Sequence, residues 1–388
     1  MLPSYSPIFQ SFFQAGFECS THKTKSGQRL DLLASTYHTL YATKDFEALV
    51  AFGITTAREG ARWHLIERNP GDYDFATLDV ILNAAAETGV EVILDVLHFG
   101  WPDYLDIFQP EFLDAFEKFV RALTTHLRQG PHKNLFLVPV NEISFLAWGA
   151  GDEGFLHPFA TERGHELKEQ LIRAAIRAAN VIREELPDAR LIAPEPVIHI
   201  IGNPEIQGDD VQAERYRMSQ FQAWDMLTGR LAPELGGGPE YLDIIGVNFY
   251  DRNQWVHMAD ISLQRDDLRY RPFRQILLEV WERYQRPMFV SETGTEDDAR
   301  PSWLAYVCEE VLAAVDAGVP IHGICLYPII NHPGWEDDRH CCNGLFDYAD
   351  EHGSREIFKP LADALLRQQE SGAFDTFARK PFHAQLSK

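Results

Sequence analysis

Short apolar runs alternate with longer amphipathic ones along the whole chain, and this alternation restricts the fold more than any other feature. Eight runs read as strands, at 16–19, 54–57, 90–97, 135–140, 191–193, 242–247, 287–290 and 321–326. Helical patterns lie behind them at 43–52, 75–88, 111–127, 162–186, 213–227, 273–284, 303–317 and 355–367. In the third of these, Phe112, Phe116, Val120, Leu123 and Leu127 recur three and four residues apart, which stacks them on one helix face. Thr43 is placed to cap the first helix, while Gly53 and Gly89 are placed to end the first and second. The run VEVILDVL (90–97) is nearly continuous in apolar residues, as a strand covered on both faces requires. Strict alternation implies parallel pairing through crossovers. An open doubly wound sheet alternates in the same way, but no G-x-G-x-x-G follows the first strand and no phosphate-cradling glycine loop occurs. The expectation is an α/β chain forming a single (β/α)8 barrel over 1–388, with 1–14 and 371–388 as terminal extensions.

Composition narrows the partners. A length of 388 residues would ordinarily suggest two or three domains, yet barrels of this kind reach that size as one. The formal net charge of −23 repels phosphate backbones and anionic lipid, so neither nucleic acid nor a membrane is expected as a partner. No run approaches the roughly 20 apolar residues of a spanning helix. The first 14 residues show no basic region followed by an apolar stretch, which points to a cytoplasmic location. Five cysteines do not make a disulfide framework, and Cys19, Cys308 and Cys325 read as small core residues. His332, His340, Cys341 and Cys342 cluster in sequence and raise the question of zinc. Adjacent cysteines cannot easily both reach one tetrahedral ion, so a polar loop with buried thiols is expected, with no metal and no cofactor. The oligomeric state is left open.

In an eight-stranded barrel the chemistry sits where strands end. The second run is followed by Arg58, Arg62 and Trp63, the third by His98 and Trp101, and the fourth by Asn141 and Glu142. The sixth is followed by Asn248 and Tyr250, the seventh by Glu292, and the eighth by Tyr327, Trp335 and Glu336. A carboxylate at a strand end can simply pair with an arginine or cap a helix. Two glutamates ending the fourth and seventh of eight strands, however, face each other across the barrel mouth. Glycosidic cleavage needs such a set: one carboxyl protonates the leaving oxygen, the other attacks or stabilises the anomeric centre, and aromatic rings stack on sugars.

Several segments carry a specific resemblance. LVPVNEIS (137–144) and PMFVSETG (287–294) resemble the fourth-strand and seventh-strand motifs of clan A glycoside hydrolases. AREGARW (57–63), VLHFGWPDYL (96–105), DIIGVNFYD (243–251) and GWEDDRHCCNGLFDY (334–348) are similar to segments of glycoside hydrolase family 1, the β-glucosidase family. The resemblance extends from about Thr43 to Tyr348. It implies that Glu292 is the nucleophile and Glu142 the acid/base. Arg58 and Tyr250 would hold the nucleophile, Asn141 and His98 would bind sugar hydroxyls, and Trp335 and Glu336 would line the sugar subsite. The implied activity is a retaining β-glycosidase acting on a carbohydrate substrate, with the two carboxyls roughly 5–5.5 Å apart. A cation beside Glu292 should keep it ionised, whereas Glu142 should carry a raised pKa.

The chain departs from the family in places. It reads Asn-Glu-Ile where the family usually has Pro after Glu, Glu-Thr-Gly where it has Glu-Asn-Gly, and Tyr327 where it tends to have Trp. In CSTHKTKSGQR (19–29), His22 or Gln28 would stand in for the family's sugar-binding Gln. These changes leave the carboxylates in place and the sugar unspecified. Another clan A activity, an endo-glycanase or a transglycosylase, remains an alternative. A silent carbohydrate-binding barrel would show loss of one carboxylate, and both are present.

Overall fold

The computed structural model describes residues 6–130 and 135–374. Its strands β1 (Phe13–Gly16), β2 (Thr56–Gly60), β3 (Glu91–Asp95), β4 (Phe136–Val138), β5 (Arg190–Pro196), β6 (Ile244–Asn248), β7 (Met288–Thr293) and β8 (Ile321–Leu326) form one closed barrel. Every pairing in the ring is parallel and joins consecutive strands. The ring closes where Phe13, Gln14 and Ala15 of β1 meet Ile324, Cys325 and Leu326 of β8. The crossovers carry helices α1 (His38–Ala51), α2 (Ala76–Thr88), α3 (Pro110–Gln129), α4 (Gly164–Glu185), α5 (Asp209–Met218), α6 (Phe273–Tyr284), α7 (Arg300–Asp316) and α8 (Lys359–Glu370). This is the (β/α)8 barrel that the alternation implies. Among the described residues, no helix is long and apolar enough to cross a membrane.

The element boundaries move for physical reasons. The second strand is expected at 54–57 and runs over Thr56–Gly60, so it contains Arg58 and Glu59, both wholly buried. Apolar periodicity stops at charged residues, whereas the barrel buries them as pairs: Arg58 with Asp95, and Glu59 with His38. Likewise the seventh strand extends past 290 through Ser291 and Glu292 to Thr293, and the fifth past 193 through Glu195. The first strand shifts the other way, from 16–19 to Phe13–Gly16, because the apolar run is longer than the segment that finds partners on β2 and β8. Thr43 does not cap α1, which begins at His38 behind Tyr37 and kinks at Tyr41. The single helix expected over 213–227 is α5 followed by a 3-10 turn (Ser219–Phe221) and a short helix (Gln222–Leu227). Arg355–Ile357 is a strand paired with Phe346–Ala349, so the last helix starts later than expected. Gly89 does end α2, at φ 76°, a left-handed conformation that glycine adopts freely.

Apolar residues fill two layers. The larger lies between the barrel and its helices. The smaller fills the lower barrel, where Phe9 packs among Ile93, Phe136, Val138, Ile192, Ile244 and Phe289. Its ring centre sits 4.8 Å from that of Phe136 and 4.9 Å from that of Phe289. The expected extension over 1–14 therefore fails at its inner part: residues 9–14 belong to the barrel, as plug and first strand. At the other end Phe374 stacks on Phe12 at 4.6 Å and meets Phe13 edge-on at 5.2 Å, so 371–374 are also joined to the barrel. Residues 1–5 and 375–388 lie outside the described residues.

Candidate active site

Arg58, on β2, is the hub at the floor of the barrel mouth. It has no exposed surface, so each of its donors needs an acceptor. Nε and Nη2 donate to the two oxygens of Asp95 at 2.9 and 2.7 Å, a bidentate pair across neighbouring strands. Nη2 also donates to Asn141 Oδ1 at 2.6 Å, and Nη1 to Glu292 Oε1 at 2.7 Å and the Ser291 carbonyl at 3.3 Å. Five N–H groups thus reach β3, β4 and β7. The ring of Tyr327, at the end of β8, lies beneath the guanidinium with its centroid at 5.5 Å.

Glu292 reaches this hub because β7 is irregular. Its register against β6 shifts between Val290 and Glu292, which opposes Glu292 to Asn248. A bulge of this kind re-aims side chains. Ser291 Oγ then donates to Asn248 Oδ1, while Glu292 faces the mouth and accepts from the Tyr250 hydroxyl at 2.8 Å on Oε2. Burial raises the pKa of Glu292, and Arg58, His98 and Tyr250 pull it back. The net shift is upward, contrary to the expectation of a simple lowering, because desolvation outweighs the one guanidinium that Asp95 also shares.

Glu142 approaches from β4. Its φ is 45° and ψ 60°, left-handed for a residue with a Cβ, and its N–H donates to the Pro194 carbonyl of β5. Oε1 accepts from the neutral Asn248 amide at 2.8 Å. Burial and the nearby Glu292 charge push Glu142 well above the ordinary carboxyl range. One carboxyl is therefore held by a cation and a phenol, the other by an amide alone.

Both glutamates line one cavity of about 1100 Å³, together with His98, Tyr250 and Trp335. Other expected site residues lie one layer deeper. Asn141 is fully buried between Arg58 and His98, with Nδ2 at 3.2 Å from His98 Nε2. Asn248 is fully buried as the bridge between Ser291 and Glu142. Tyr327 is under the floor, its hydroxyl 3.8 Å from Cys19 Sγ. Glu336 is not brought to the cavity: its residue is exposed, since the chain turns outward after Trp335. His22 is buried edge-on to Trp335, and Gln28 is exposed.

Periodicity missed four groups of the site. Asp95 joins Arg58 to His98, whose Nδ1 lies 2.7 Å from Asp95 Oδ2. Its signal was visible as the acid near the C-terminal end of VEVILDVL, the end that faces the barrel mouth. Glu18, after β1, lines the cavity as a further carboxylate. Glu195, fully buried, accepts from the Ser144 N–H behind Glu142, and burial carries it to about 7. Cys19, expected as a small core residue, sits 3.2 Å from His98 Nδ1.

Cys19, Asp95 and His98 each offer one ligand atom within 4.8 Å of the others. Both Asp95 oxygens are already engaged by Arg58, whose charge opposes a cation there. In the 332–342 loop, His332 contacts the Pro333 carbonyl and Asn343, while His340 pairs with Asp347 at 3.0 Å.

No protein-family model matches the chain, and no curated protein matches it in sequence. Solved structures do match it. A family 1 β-glucosidase from Thermotoga maritima superposes with a TM-score of 0.73 and 17% identity, over 94% of this chain and 99% of that one. The fold is that of a family 1 β-glucosidase. A β-glucosidase from the same organism in complex with glucoimidazole gives 0.75 and 17%, and one in complex with castanospermine 0.74 and 18%. Each of these two covers 95% of this chain and 99% of the other.

Proposed function

We propose that the chain is a retaining β-glycoside hydrolase, with Glu292 as nucleophile and Glu142 as acid/base. One observation carries the reading: two buried glutamates from β4 and β7 line the same cavity in opposite electrostatic settings. Glu292 accepts from Arg58 and Tyr250, which favours its ionised form, while Glu142 has only an amide donor and a neighbouring negative charge. Environments that push two carboxyls apart mark the division between nucleophile and acid.

In the first step a Glu292 oxygen attacks the anomeric carbon as the glycosidic C–O bond breaks. Glu142 gives its proton to the departing oxygen, leaving a glycosyl ester on Glu292. Water then attacks the same carbon, Glu142 takes the water proton, and the ester bond breaks to restore both carboxyls. Arg58 and Tyr250 orient the nucleophile through fixed hydrogen bonds, so little rearrangement is needed at attack. Trp335 offers an aromatic face to the sugar ring. The cavity is larger than a single sugar ring needs, and Phe145, Trp148, Tyr216 and Trp255 line its remainder. That room suits a bulky aglycone or a further sugar unit.

Glu292→Ala should abolish turnover of aryl β-glycosides, and azide should restore it as a glycosyl azide of inverted configuration. Glu142→Ala should slow poor leaving groups by about 10²–10⁴-fold and activated ones far less, since only the former need protonation. Wild-type turnover in Glu292→Ala, or equal losses on both substrate classes in Glu142→Ala, would contradict the assignment.

A further inference from the structure

Of the carboxylates that line the cavity, one lies at its inner end beside Glu292 and is left unused by the two-step chemistry. Glu18 lies just beyond β1, nine-tenths buried, and lines the cavity beside Glu292, His98 and Trp335. Its Oε1 accepts from both the N–H and the hydroxyl of Ser20. Among the described residues, no hydrogen bond or ion pair reaches Oε2. A carboxylate anchored through one oxygen leaves the other to a ligand.

The local charge balance says which kind of ligand fits. Burial would raise Glu18, but the His98 and His332 rings and the Ser20 donors hold it below the ordinary carboxyl value, so it is ionised. The guanidinium of Arg58 beneath the cavity floor is already shared between Asp95 and Glu292, and Lys168 and Arg252, which also line the cavity, make no ion pair with Glu18 among the described residues. Glu18 therefore adds a negative charge that no lysine or arginine offsets within ion-pair distance among the described residues. A buried charge without an ion-pair partner is costly until one arrives. A sugar hydroxyl would complete its hydrogen bonds and leave the charge; an ammonium group would complete them and neutralise it. Trp335 and Phe99 line the same cavity and offer aromatic faces that also attract a cation.

We infer that Glu18 is a specificity-determining carboxylate that favours a glycone bearing an ammonium group, an amino-deoxy sugar, over its neutral parent. This rests on the reading of the cavity as a glycoside site. The test measures calorimetric binding of glucose and of glucoses carrying an amine at C2, C3, C4 or C6, each beside its N-acetyl form. Wild type should bind at least one amino sugar about tenfold more tightly than glucose, with no gain for its N-acetyl form. Glu18→Gln keeps the acceptor for Ser20 and should bring the amino sugar to parity with glucose. Equal binding of all sugars by wild type, or a preference that survives in Glu18→Gln, overturns the inference. If that variant does not fold, the wild-type contrast between amine and N-acetyl amine decides alone. Labelling of Glu292 by a 2-deoxy-2-fluoro aryl glycoside tests the underlying reading separately: no label defeats the reading, while calorimetry still decides the role of Glu18.

Discussion

Glu142 occupies a backbone conformation that most side chains avoid. Holding a residue with a Cβ at φ 45° costs on the order of 1–3 kcal/mol, and here it turns the carboxyl from the end of β4 into the mouth. Glycine adopts that conformation without the penalty. Glu142→Gly should therefore be more stable than Glu142→Ala by about 1 kcal/mol in denaturant unfolding, the reverse of their usual order. The same pair of carboxyls sets the pH response. The proposed mechanism requires ionised Glu292 and protonated Glu142, so it assigns the acid limb of kcat/KM to the first and the alkaline limb to the second. Burial raises both, so both limbs move upward from the ordinary carboxyl values, the alkaline one further. On an activated substrate, Glu142→Gln should lose the alkaline limb and keep the acid one; persistence of both limbs would reassign them.

Between elements, the joints are buried ion pairs as well as apolar contacts. His38 at the start of α1 stacks on Phe17 at 3.7 Å and binds Asp45 Oδ2 through Nδ1 at 2.7 Å. Its Nε2 lies 2.8 Å from Glu59 Oε1 on β2, and Arg355 from the last hairpin completes the chain on Asp45. Burial opposes the charge on His38, but Glu59 and Asp45 outweigh it and raise its pKa to about 9. A group raised in the folded state stabilises fully below its unfolded pKa, about 6.5, and loses that contribution as pH rises through the folded value. Stability should fall between those limits by on the order of 3 kcal/mol. Unfolding midpoints across that range should show the slope in wild type and not in His38→Gln. The same joints explain the misplaced boundaries: His38, Arg58, Glu59 and Glu195 interrupt the apolar pattern, and only their partners on other elements make them interior residues.

For the whole molecule, the barrel needs its lower end filled. Phe9 does so from outside the eight strands, wedged among residues of β3, β4, β5, β6 and β7. Phe9→Ala should cost about 3–5 kcal/mol, with the midpoint of denaturation lowered and the sugar specificity unchanged. A loss under 1 kcal/mol would show that the plug is dispensable. The amphipathic alternation specified a parallel sheet with crossover helices, because period and run length are local properties that follow from burying both sheet faces, and the lack of a glycine-rich phosphate loop favoured closure into a barrel. That Glu142, Glu292, Arg58, His98 and Tyr250 meet at the barrel mouth was legible as well, since a barrel carries its polar residues where apolar runs stop. The sequence could not assign depth or direction. Asn141, Asn248 and Tyr327 went beneath the floor, Glu336 turned out to solvent, and Glu18 and Asp95 came in, since those placements depend on register, on a bulge in β7 and on which charges can share one guanidinium.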